Sequence, residues 1–129
     1  MIQKYISLVG RILIVAIFLD SGIGKIADPA SAKMYMTSYG MPMVTLFLLG
    51  AIAVEVLGAI AVILGYQTKW AALIMFLYMI PVTLIFHAKL SDQIQFIMFM
   101  KNIAIMGGLL MIVAFGPGAL SLDERLKKS

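Results

Sequence analysis

Residues 43–65 read MVTLFLLGAIAVEVLGAIAVILG, an apolar run broken by one carboxylate, Glu55, near its midpoint. A helix needs about 20 mostly apolar residues to cross a bilayer, and this stretch supplies them. A strand reading finds no alternation to support it, and the run is too long for one. The segment therefore predicts a membrane-spanning helix with an acid at mid-depth.

The composition of the whole chain agrees. Of 129 residues, 63% are hydrophobic and 12% are charged, and the mean hydropathy is +1.06. Soluble domains carry about 25% charged residues. A water-soluble chain of this size cannot hide so much apolar surface, so the fold class is all-α, integral to the membrane. Three further runs have the required length, at residues 5–27, 69–88 and 95–115. With 43–65 they predict a four-helix antiparallel bundle forming a single domain over 1–129, because short links favour neighbouring helices. The first run also carries an Arg and lacks a small-residue cleavage site, so it reads as a retained span and not as a removable leader.

The longest link, residues 28–42, contains DPASAKMYMTSYGMP. Asp28-Pro29 opens a turn, Gly40-Met41-Pro42 closes the loop, and the middle predicts a short interfacial helix. Residues 116–129 read as a polar tail. Lys4, Lys69, Arg125, Lys127 and Lys128 fall on one side of the bundle, against Lys33 and Lys89 in the links of the other. The positive-inside rule makes the first side, with both termini, cytoplasmic. The net charge of +4 then reads as a topology signal and a contact with anionic lipid, not as a nucleic-acid footprint. With no cysteine and one histidine, thiol redox chemistry, thiolate metal sites and bis-histidine haem ligation by this chain alone are excluded. No metal site is expected.

Polar residues at membrane depth are the default place to look for function, since a charge at a span centre costs about 2.5–3.5 kcal/mol on insertion scales. The candidates are Arg11, Ser21, Lys25, Glu55, His87, Lys101 and Asn102, with Asp20 treated separately. On the first span Arg11, Phe18, Gly22 and Lys25 fall within one arc, whereas Asp20 lies about 180° from Arg11 and about 140° from Lys25. Asp20 and Lys25 are therefore not an ion pair. Asp20 is assigned to an oligomer contact or a protonated, lipid-facing carboxyl. On the second span Ala51, Glu55, Gly58, Ala59 and Val62 share a face whose small residues admit a neighbouring backbone. Glu55 needs a donor, and Arg11, Lys25 and Lys101 are all candidates. Thr83 and His87 stand one turn apart on the third span. Plainer roles exist for several of these: Arg11 can snorkel to headgroups, His87 can be interfacial, and Lys101 can be an anchor. Glu55 sits too deep for that.

These residues carry a resemblance. GRILIVAIFLDSGIGKIADP, then YGMP, then VEVLGAIAVILGYQTKWAA, then the span end at His87 and KNIAIMGGLLMIVAFGPGALSLDE occur in an order and spacing similar to the DoxX family of small four-helix membrane proteins. The resemblance extends to Gly22 and Gly58 and to every candidate residue except Asp20, at whose position the family is usually uncharged. It implies a multi-pass protein of the bacterial inner (plasma) membrane that serves as a subunit or partner of a membrane oxidoreductase system, linked to quinone or to thiol or thiosulfate chemistry. The sequence itself names no cofactor; in the quinone-linked case it is a quinone, and the expected partners are the lipid bilayer, a redox protein and a further copy of the chain. Two other readings stand beside it: a small-solute carrier or channel, and a non-catalytic scaffold or assembly protein whose polar groups hold helices together.

Overall fold

The computed structural model describes residues 2–128. Six helices follow one another: α1 Ile2–Ala27, α2 Pro29–Ser38, α3 Val44–Leu64, α4 Thr68–Phe86, α5 Gln93–Phe115 and α6 Leu122–Lys128. There is no strand among the described residues. Helices α1, α3, α4 and α5 are each long and apolar enough to span a membrane. Ser7 near the start of α1 donates to the Pro117 carbonyl just after α5 at 2.9 Å, so both ends of the chain lie at one face of the bundle. That end is the terminal face; the α1–α3 and α4–α5 links form the loop face.

Local chemistry sets the helix ends. Asp28 caps α2, accepting from Ser31 N at 3.2 Å and Ser31 Oγ at 2.7 Å, and Pro29 occupies a first-turn position where its missing N–H costs nothing. Asp92 caps α5 through Ile94 N at 2.9 Å. Gly65 ends α3 at φ +74°, a left-handed conformation that favours glycine. Space makes the same demand, because a Cβ there would lie 2.3 Å from Ser121 Cβ.

Val15, Phe18, Ala59, Val62, Ala72, Met75, Met79 and Leu109 form the core. Alanines at two of these positions let the helices approach closely, as is usual where lipid offers no hydrophobic push between spans. Gly22 of α1 sits tightly against α3, where a Cβ would stand 2.5 Å from Val56 Cγ2. Helix α5 packs chiefly along α4 and is the least covered span. The exposed Leu13, Leu49, Leu57, Ile97 and Phe115 are lipid-facing surface, and Trp70 and Tyr66 flank the terminal-face turn at headgroup level.

The end of the chain is more ordered than a polar tail. Helix α6 folds back on the α3–α4 turn: Asp123 accepts from Gln67 N at 2.7 Å, Thr68 N at 2.9 Å and Thr68 Oγ1 at 2.6 Å, and its own N–H donates to Gly65 O. Asp123 thus supplies the start of α4 with a cap from a distant part of the chain, because Gln67 itself makes no side-chain cap. Burial opposes its ionisation, yet the bonds from Thr68 and Gln67 and the nearby Arg11 guanidinium hold its carboxyl below the usual carboxylate range.

Candidate functional site

Glu55 lies inside a π-helical turn of α3, Ala53–Leu57. Such single-turn bulges widen a helix locally and shift the direction of the side chains they carry. Opposite this turn, Gly22 admits the α3 backbone, which brings Ser21 and Lys25, one helical turn apart on α1, to the carboxylate. Lys25 Nζ stands 2.9 Å from Glu55 Oε2 and 3.0 Å from Oε1. Ser21 Oγ accepts from Lys25 Nζ at 2.7 Å and donates to Glu55 Oε1 at 3.2 Å. From α4, Tyr78 OH donates to the same Oε1 at 3.0 Å. Three spans therefore meet on one carboxylate that is 5% exposed.

Within the pair the lysine's donors are all engaged, on Ser21 Oγ and both carboxylate oxygens, and only Oε2 keeps an open acceptor site. An ammonium has three N–H donors and no acceptor, and a carboxylate has about four acceptor sites. Oε1 takes three contacts and Oε2 only the one from Lys25. Lys25 keeps 22% of its side chain accessible. Ser21, Lys25, Glu55 and Tyr78 all line a cavity of about 770 Å³ in the loop-face half of the bundle. Its remaining walls are almost wholly apolar, including Met36, Leu46, Phe47, Val54, Val82 and Ile85. At its outer end Tyr35, Tyr39 and Phe86 pack ring on ring, with centroids 4.9 to 5.2 Å apart, and tie α2 to the end of α4. His87 lines the cavity too, its Nδ1 3.2 Å from Gln95 Oε1.

Ser21, Lys25, Glu55 and His87 thus share one cavity, and the others lie apart. Arg11 does not reach Glu55. Its Nη1 donates to the Val62 and Ile63 carbonyls at 2.7 and 3.1 Å, and its Nη2 to the Leu120 carbonyl, so it binds the end of α3 and the tail at the terminal face. The helical arc of α1 was legible, but the length of the bundle separates its two cations. Asn102 is buried and donates to Thr83 Oγ1 at 3.0 Å, joining α5 to α4. Among the described residues Lys101 donates only to Met98 Sδ, at 3.3 Å. Asp20 is on the exposed side of α1. Among the described residues no group of His, Asp or Glu is arranged to hold a metal ion.

Sequence reasoning missed Tyr78. A signal was present: membrane tyrosines favour the interfaces, and this one lies mid-span. It also missed Asp123, whose partners are more than fifty residues away and follow no local pattern.

Comparison with known proteins follows the same outline. The DoxX family model matches residues 6–88, which include Ser21, Lys25, Glu55, Tyr78 and His87 and stop before α5. Inner membrane protein YqjF of Escherichia coli is 36% identical over 121 residues, covering 94% of this chain and 92% of that protein. Inner membrane protein YphA of the same organism is 35% identical over 123 residues, covering 92% and 88%. A Surfeit locus protein 4 homolog of Drosophila melanogaster is 36% identical over 85 residues, which is 57% of this chain and 31% of that protein. No solved structure matches.

Proposed function

The chain belongs to the DoxX family and is a multi-pass inner-membrane protein, and from that premise we propose that it serves a membrane oxidoreductase system by holding a quinone in the loop-face cavity. One observation carries the reading: a largely apolar cavity of about 770 Å³ ends on a hydrogen-bonded Lys25–Glu55 pair whose bonds run between side chains that both line the cavity, so a ligand can exchange for them. Ligand sites commonly combine apolar walls with a few convergent polar groups, and a volume of roughly 300–1,000 Å³ is usual.

The residues present fit such a ligand. A bound quinone supplies reversible uptake of two electrons and two protons, which no side chain here provides, since the chain has no cysteine. Lys25 turns one N–H from Ser21 or Glu55 to a carbonyl oxygen at the polar end of the cavity. Glu55 accepts and releases a proton, and Ser21 and Tyr78 hold its carboxylate in place. Electrons come from a partner protein at the loop face.

A through-passage for solute fits less well, because Val15, Ala59, Val62, Ala72, Met75 and Leu109 are fully buried beneath the cavity. The test is to purify the chain from membranes in mild detergent and quantify quinone in the extract by mass spectrometry. Quinone approaching one per chain is expected, with its redox state changing when thiosulfate or a thiol and the co-purifying partner are added. A preparation with no quinone and no such change rejects the proposal.

A further inference from the structure

Two charges at membrane depth take no part in these networks. Asp20 is exposed on α1, and Lys101, half-buried on α5, has among the described residues only the Met98 sulfur as a hydrogen-bond partner. Among the described residues neither meets an opposite charge. They lie at matching depth: Asp20 is seven residues inside the loop-face end of α1 and Lys101 eight inside that of α5, about 10 and 12 Å at 1.5 Å per residue. An uncompensated charge there is costly. Lysine can lift its ammonium along a long stem, but the short aspartate side chain cannot reach the surface.

The surroundings of both residues admit another helix. Ala16 and Gly24 flank Asp20 at four-residue spacing, and Ala27 continues the same side; all three are exposed. A Cβ at Gly24 would meet nothing within 4 Å, in contrast to the crowded Gly22. None of the described residues covers this smooth surface, and small residues are what close packing of spans requires. Lys101 shares its flank of α5 with Gly108, which packs against Ile14 of α1, so it borders the α1/α5 seam.

We propose that the chain forms a homodimer in the membrane, with Asp20 of each copy paired to Lys101 of the other and α1 of each copy lying along the α1/α5 seam of its partner. A two-fold axis along the membrane normal keeps the depths matched and uses each charge once, closing the assembly at two copies. Any other occupant would have to bring a cation for Asp20 and an anion for Lys101 to the same depth; a second copy brings both.

The absence of native cysteines makes the test direct. Full-length Asp20→Cys and Lys101→Cys chains with different tags are co-expressed and oxidised in native membranes. The mixed disulfide is expected to dominate over either self-pair. Charge reversal adds a second arm: Asp20→Lys and Lys101→Asp each lose the dimer by light scattering in mild detergent, and the double variant regains it, with helical circular dichroism unchanged throughout. A wild-type chain that is monomeric in both media, an Asp20→Cys chain that crosslinks chiefly to itself, or a folded double variant that stays monomeric overturns the proposal.

Discussion

The two ends of the bundle treat buried charge in opposite ways. At the terminal face Arg11, 2% exposed, spends its guanidinium on the carbonyls of Val62, Ile63 and Leu120. Those acceptors belong to the backbone and cannot be exchanged, so the charge fastens α1, α3 and the tail to one another. At the loop face Lys25 and Glu55 satisfy each other through side chains, beside a cavity that both of them line. Such a pair can be remade with a ligand without unfolding anything. Charge is buried at both ends, and the identity of the acceptor separates fastening from chemistry.

The largest effect is expected from Arg11→Met. It strips the charged donor from three carbonyls and should lower stability by about 3 kcal/mol, read by thermal unfolding in detergent. Next comes Lys25→Met, which leaves a buried carboxylate without its cation and should cost about 1–3 kcal/mol. Adding Glu55→Gln should recover most of that loss, because removing both partners of a buried pair is far milder than removing one. Failure of the double variant to recover would make the loop-face pair a fastening like Arg11 and collapse the contrast.

Asp123→Ala should cost about 1 kcal/mol, the usual loss for a helix cap. It should also change the acid response. The folded carboxyl lies below its unfolded value of about 4, so its contribution is complete above that pH and is lost as pH falls through the lower folded value. The melting temperature of the wild type should therefore fall more steeply below about pH 4 than that of the variant. Tyr78→Phe is the mildest change, at about 0.5–1 kcal/mol or less in stability. Its effect should appear instead as reduced quinone retention, and an unchanged retention would remove Tyr78 from the site.

The architecture was legible because a bilayer forces its own signal: four runs of the right length, with Asp28-Pro29 and Gly40-Met41-Pro42 bounding the longest link. Within the site, Lys25 and Glu55 could be found by cost alone, since each is an ion where ions are expensive. Their pairing could not be chosen over Arg11 with Glu55 from helical angles, because angle says nothing of how far apart two residues sit along a bundle. The π turn at Ala53–Leu57 is equally silent in sequence; it coincides with the close contact of Val56 and Glu55 against Gly22. Asp123 escaped for another reason: its role is set by chain reversal at Gly65 and Gly116–Gly118, where α6 returns to a helix start that carries no cap of its own.

The most direct test of the loop-face site compares the quinone carried by purified wild type, Glu55→Gln and Asp123→Ala, each confirmed as folded by circular dichroism. Quinone near one per chain in the wild type and in Asp123→Ala, with a loss of tenfold or more in Glu55→Gln, is the predicted result. Equal retention in all three, or none in any, would contradict it.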